Sequence, residues 1–355
     1  ATIFHLPGSN LEIATPLERK GLKEVSSPAD IPEEGLVLGS NFFQGKEKVI
    51  RLTDKDRTRH MYILGQTGTG KSVLLSDLIV QDMMAGKGLC FIDPHGEVAE
   101  EIIAKVPPHR AEDVIYFNPA DMAMPLGMNI LETDPEHPEQ KDFVIQETLA
   151  MLYKMYDPNN QGFIGPRFEQ WYRNSALTVM ADPAGATFLE IPKPFLDDEF
   201  LKAKFKYVKD PTVQDFWINE MGQTSERDKS EMLGYFVSKW GAFQSNETMR
   251  NIMGQHKSAF DFGKVMDTNK ILIVNLSKGQ VGELNAKYLG MIFVIKVLAA
   301  AFARSGRSKD QMPLFTLYVD EFQNFATESF ATILSEARKY NLCLIVANQF
   351  IGQLT

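Results

Sequence analysis

Residues 61–80 read MYILGQTGTGKSVLLSDLIV. A four-residue apolar run leads into GQTGTGKS, and a second apolar run at helical spacing follows at once. Gly65, Gln66, Thr67, Gly68, Thr69, Gly70, Lys71 and Ser72 fit G-x-x-x-x-G-K-[ST], a loop that cradles nucleotide phosphates. Its glycines let consecutive backbone N–H groups turn inward around a β-phosphate, and the positive end of the next helix points at the same place. Lys71 is placed to reach the β and γ oxygens, and the Ser72 hydroxyl to ligate Mg²⁺. The loop specifies a triphosphate and Mg²⁺ but not their use. Kinases, switch GTPases, transporters and DNA motors all carry one.

Outward from this loop, strand-like and helical runs alternate. RHMYIL (59–64) predicts a core strand and SVLLSDLIVQDMMA (72–85) a helix. GLCFID (88–93), a helix over EVAEEIIAKV (97–106) and DVIYFN (113–118) follow. After a gap the alternation resumes with ILIVNL (271–276), a helix over NAKYLGMIFVIKVLAAAFAR (285–304), LFTLYVD (314–320), a helix over SFATILSEARKY (329–340) and LCLIVAN (342–348). Strands that are apolar at every position and separated by helices predict a parallel sheet covered on both faces. Between 131 and 264 the pattern has helical periodicity and no β-rich run, which predicts an all-α insertion in an α/β core. Residues 1–58 form a lead-in in which LVLGS and KVIRLT, placed around Gly45, predict a β-hairpin. The expected division is therefore 1–58, a core of 59–130 with 265–355, and an insertion of 131–264.

A P-loop works with an acidic residue at the end of a buried strand, which holds the metal through water. Three strand ends offer a polar residue: Asp93, Asn275 and Asp320. Asn275 is uncharged, and Asp93 is followed by proline rather than by a second acid. Asp320 is followed by Glu321, so one residue can steady Mg²⁺ while the next polarises the attacking water. Asp320 and Glu321 are preferred, with Asp93 as the alternative. A separate catalytic glutamate favours an ATPase over a metabolic kinase, which must exclude water. Gln349, just past the last strand, falls at the carboxyl edge of the sheet, where ligands of such folds bind. There it can hydrogen-bond the γ-phosphate or the lytic water.

Composition narrows the rest. The formal net charge is −9, so the chain is not a polycation that coats nucleic acid, and any DNA contact must be local. Two cysteines, Cys90 and Cys343, lie in apolar runs and suit reduced core thiols in the cytoplasm better than a disulfide. Six scattered histidines without HExxH or CxxC give no zinc pattern. The N-terminus lacks a basic-then-apolar signal pattern. The longest apolar stretch, MIFVIKVLAAAFA (291–303), carries Lys296 and is short for a membrane span, so a core helix is expected. The chain starts without Met and stops at NQFIGQLT, which suggests a piece of a longer protein with a C-terminally incomplete core.

Taken in order, HMYILGQTGTGKSVLL, FIDPHGE, ILIVNLSKGQVGE, LYVDEFQNF and SEARKYNLCLIVANQ resemble the HerA/FtsK superfamily of DNA-pumping P-loop ATPases. Within it the chain is most similar to the TraD/TraG-like coupling proteins of conjugation and type IV secretion. The resemblance covers about residues 35–130 and 255–355. It implies a RecA-like P-loop NTPase core interrupted by an all-α domain, a homo-oligomeric ring of hexamer type, ATP with Mg²⁺, and DNA as the moved partner. It also implies contact with secretion machinery at the inner face of the cell membrane. Lys71, Ser72, Asp320 and Glu321 then take the roles given above, and Gln349 becomes the sensor glutamine. A trans-acting arginine is implied between the acidic pair and the last strand, where Arg338 is the available one. Coupling proteins commonly begin with transmembrane helices, and no such segment occurs in this sequence.

DNA-contact candidates are less specific. Ser277 and Lys278 sit on a glycine-flexed loop, and Lys202, Lys204, Lys206 and Lys209 interleave with Phe205 and Tyr207. A solvated helix face accounts for the lysine run more simply. Asp93 and His95 in DPHGE face either the nucleotide, a subunit junction or only a capping turn. Two further functions fit the same core: a protein-secretion ATPase, and an assembly scaffold that binds nucleotide but hydrolyses little.

Overall fold

The computed structural model describes residues 25–327 and 336–350. Two strands, β1 (Leu36–Phe43) and β2 (Lys46–Leu52), pair antiparallel as a hairpin. Six more form one sheet: β3 (Met61–Leu64), β4 (Gly88–Asp93), β5 (Val114–Phe117), β6 (Ile271–Asn275), β7 (Phe315–Val319) and β8 (Leu342–Asn348). Their spatial order is β3-β8-β7-β4-β6-β5, and every pairing is parallel. This is the mixed α/β, RecA-like architecture expected.

β4, β6, β7 and β8 are buried at every residue, as a sheet covered on both faces requires. Alternate residues divide between the faces. Phe91, Ile273, Tyr318 and Ile345 pack with Leu75, Leu78, Ile79 and Met83 of the helix Lys71–Met84. Ile92, Val274, Val319 and Val346 pack with the helix Glu283–Phe302 and the helical segment. Glu283–Phe302 is 20 residues, the length expected for this helix; it is long and apolar enough to cross a membrane, but most of it is buried inside the fold. It is a core helix. Gly290 in its middle admits the Phe325 ring, since a Cβ there would lie 2.1 Å from Cε1 of Phe325.

Between β5 and β6 the described residues form helices and no strand. Their interior is aromatic: Trp240 packs with Phe168, Tyr172, Phe188 and Phe236, and its indole N–H donates to Phe188 O at 3.0 Å. Buried aromatics contribute area and specific ring geometry while the polar tip keeps a partner. This interior is continuous with one face of the sheet.

The hairpin is fastened to the helix Lys71–Met84 by Gln81. Where β1 bulges between Val37 and Gly39, the Gln81 amide accepts from Val37 N at 2.8 Å and donates to Val37 O at 3.1 Å. A side chain thus completes the hydrogen bonds that a bulge leaves open. Beneath it, Arg57 is buried and grips Asp82 with both terminal nitrogens at 2.7 and 2.5 Å. Tyr318 OH also donates to Asp82, at 2.7 Å. The phosphate-loop helix is therefore bolted to β7 from behind. Of the sequence expectations, residues 1–24 and most of the helix expected over 329–340 lie outside the described residues. Of the part described, 336–337 are helical and Arg338–Tyr340 is a 3₁₀ turn.

Candidate active site

Parallel strands bring their carboxyl ends to one edge. The register aligns Leu64 with Asn348, Val319 with Val346 and Asp93 with Asn275. The Gly65 N–H donates to Asn348 O at 3.2 Å, so the glycine loop starts on the end of β8. Gly68 (φ +80°) and Gly70 (φ +92°) take the left-handed conformation that only glycine adopts without strain. The loop tip closes on Gln66 O, which accepts from Thr69 N at 3.2 Å and from Thr69 Oγ1 at 2.7 Å. Gly65 has a packing reason as well: a Cβ there would lie 2.5 Å from Thr69 Oγ1 and 3.1 Å from Lys71 Cγ. No side chain caps the helix Lys71–Met84, and no acidic residue occupies its first turn. Its first N–H groups and its dipole therefore face an anion site.

A cleft of about 450 Å³ opens there. Gln66, Thr67, Gly68, Gly70, Lys71 and Ser72 form one wall; Asp320, Glu321 and Gln349 form the other. Gly65 and Thr69 are absent from the lining and act by shaping the loop. Asp320 is buried directly after β7, and its Oδ1 accepts the Glu321 N–H at 2.9 Å. Burial pushes the Asp320 carboxyl up to about 6; the Glu321 N–H and the Lys71 ammonium pull it down, while the Asp93 and Glu321 carboxylates push it up. Glu321 sits at φ +47°, a strained position for a residue with a Cβ, which costs about 1–2 kcal/mol. Such strain concentrates at functional sites. Its Oε1 accepts from Gln349 Nε2 at 3.0 Å and its Oε2 from Gln323 Nε2 at 2.6 Å.

Asp93 lines the same cleft, but its Oδ1 accepts from His95 N at 2.9 Å and its Oδ2 from Ala99 N at 3.0 Å. It builds the turn into the helix Glu97–Ala104, with each carboxylate oxygen engaged by a backbone N–H. His95 is exposed on the cleft wall. Arg338 is exposed and does not line the cleft. The lysine run is not a uniform face: Lys204 is buried and paired with Asp182 at 2.7 Å, while Lys202 and Lys206 are exposed. Ser277 is buried and bonded to Asn275. Gln323 was not anticipated; its one sequence signal is a place two residues after Glu321.

A Ser hydroxyl and one buried carboxylate suit Mg²⁺, a hard cation that takes oxygen ligands and keeps waters and phosphate oxygens among them. Among the described residues no group of three or more His, Cys, Asp or Glu is placed to hold a metal alone. The donor set fits a nucleotide-borne Mg²⁺.

The family model described as the central domain of the helicase HerA matches residues 43–281, well over half of the chain. The chain belongs to the HerA family. No curated protein sequence matches it. Among solved structures, this HerA-family chain is similar to the bacterial conjugative coupling protein TrwB in its unbound form. The TM-score is 0.57 at 16% identity, over 91% of this chain and 67% of that one. TrwB in complex with ADP and Mg²⁺ gives 0.56 and 17%, over 86% and 67%. VirB4 of Thermoanaerobacter pseudethanolicus gives 0.54 and 17%, over 91% and 78%. At these identities the likeness establishes a shared fold.

Proposed function

We propose that this chain is the motor of an ATP-driven DNA translocase serving a type IV secretion or conjugation apparatus. One observation carries the hydrolytic part: Glu321 lies across the cleft from the phosphate loop with both carboxylate oxygens held by amides. Membership of the HerA family and the fold shared with TrwB and VirB4 support the motor and secretion parts. TrwB holds ADP and Mg²⁺, which supports ATP and Mg²⁺ here.

In this reading the loop N–H groups from Gln66 to Ser72 bind the phosphates, and Lys71 neutralises the β and γ oxygens. Bound Mg²⁺ supplies charge neutralisation at the phosphate oxygens, with Ser72 and Asp320 as the residues that would hold it. Glu321 orients a water and takes up its proton. Gln349 reaches the same water or the γ-phosphate and reports the state of the site along β8. Arg338 serves the neighbouring subunit's site in a hexameric ring. The chain divides into a lead-in (1–58), a core (59–130 with 265–355) and a helical insertion (131–264), and it works at the inner face of the cell membrane.

The formal net charge of −9 keeps a second reading, in which the same motor moves polypeptide. ATP hydrolysis measured with and without single- and double-stranded DNA decides between them. DNA-stimulated turnover is the expected result. Turnover that no DNA alters would sink the DNA reading and favour the polypeptide one.

A further inference from the structure

The loop that leaves Glu321 is held from the helical segment. Lys154, in the last turn of the helix Glu139–Tyr156, donates to Gln323 O at 2.9 Å and also to Ala326 O. About two turns earlier on the same face of that helix, Glu147 accepts from Thr327 Oγ1 at 3.3 Å. From the other side Phe325 fills the notch at Gly290. Gln323, whose backbone Lys154 grips, has its side-chain N–H on Glu321 Oε2 at 2.6 Å. A continuous path thus runs from the helical segment to the carboxylate expected to polarise water. The Lys154 ammonium is half-buried, and burial, reinforced by Lys287, pushes it down to about 8. A cation held in that setting has a costly environment, and the two carbonyls it serves both belong to the loop after Glu321.

We infer that Lys154 is a positioning residue for ATP hydrolysis: it holds the loop after Glu321 so that Gln323 aims the glutamate carboxylate at the cleft. The inference rests on the ATPase reading above. It gives the helical segment a direct hold on the catalytic step, since any displacement of Glu139–Tyr156 moves the carbonyls that Lys154 carries. A shift of about 1 Å in a reacting group can cost on the order of 10²-fold in rate.

The test uses the full chain and steady-state ATP hydrolysis. Lys154→Met keeps the aliphatic stem and removes the donors; kcat is expected to fall roughly 10- to 100-fold while KM for ATP stays within about twofold. Gln323→Ala should give a similar loss by a different route, and the double variant should be no worse than either single one. Lys154→Arg, which retains a cationic donor, should recover most of the loss. A merely structural lysine would lower the melting temperature and leave kcat per folded molecule intact. Wild-type kcat in Lys154→Met, or losses that multiply in the double variant, would overturn the inference with ATPase activity standing. If Lys154→Met does not fold, Gln323→Ala decides alone, and an unchanged kcat there overturns it. Absence of turnover in the wild type sinks the ATPase reading and this inference together.

Discussion

Gln349 and Glu321 meet across the sheet edge: the Gln349 amide donates to Glu321 Oε1 at 3.0 Å. One residue follows β8 and the other follows β7, so the contact reports the relative placement of two neighbouring strand ends. Glu321→Gln keeps the shape and removes the base. Turnover is expected to fall by about 10²–10⁴-fold, with ATP affinity, read by fluorescent-nucleotide titration, within a few-fold of wild type. Gln349→Ala should lower kcat less and leave ATP affinity similarly intact. A Glu321→Gln variant hydrolysing at the wild-type rate would show that another group activates the water.

The phosphate loop was legible because its chemistry is local: eight consecutive residues supply the turn, the N–H groups and the lysine. The sheet was legible for a related reason, since each central strand is buried on both faces and leaves an unbroken apolar run. What stayed hidden depends on pairings across the fold. Arg57 lies in DKDRTRH, a stretch that looks solvated, yet it is buried because Asp82 meets it from a helix 25 residues on. Lys154 carries no sequence mark at all, because its partners are backbone carbonyls of another segment. Asp93 looked available until the backbone placed two N–H groups on its oxygens.

The Arg57–Asp82 pair predicts a stability experiment. Removing one partner of a buried ion pair leaves a charge without compensation and costs about 3–5 kcal/mol, whereas replacing both with apolar residues is often neutral. Asp82→Ala should therefore lose that much in urea unfolding. Arg57→Met combined with Asp82→Leu should be clearly more stable than Asp82→Ala. Equal losses in the two proteins would mean that the pair's hydrogen bonds to β7, and not its unpaired charge, set the cost.

Lys296 predicts a pH dependence. It is buried in the helix Glu283–Phe302 and donates to Glu132 O at 2.7 Å. Burial pulls its pKa from the ordinary 10.5 to about 8, against the pull of the Glu132 and Asp261 carboxylates. Between those values the unfolded chain binds more protons than the folded one, so this group's contribution to stability rises as pH increases from about 8 to about 10.5. Below pH 8 the full penalty of the buried charge is present. The stability of the wild type relative to Lys296→Met should shift by about 3 kcal/mol across that window. Denaturant melts of both proteins at pH 7.5, 9 and 10.5 measure it, and a pH-independent difference would show that Lys296 does not change charge there.

Arg338 is exposed and does not line the cleft of its own chain, the placement required of a group that serves another subunit. Mixing tests this in the proposed ring without a structure of the assembly. Lys71→Ala removes the phosphate lysine, and Arg338→Ala removes the proposed finger; each homogeneous preparation should be nearly inactive, since such an arginine is worth about 10³–10⁵ in rate. In a mixed ring, an intact Lys71 site from an Arg338→Ala subunit can face an intact Arg338 from a Lys71→Ala subunit. Partial activity should therefore appear on mixing and peak near equal proportions. Mixtures as inactive as their components would argue that Arg338 acts within its own chain or serves only the fold.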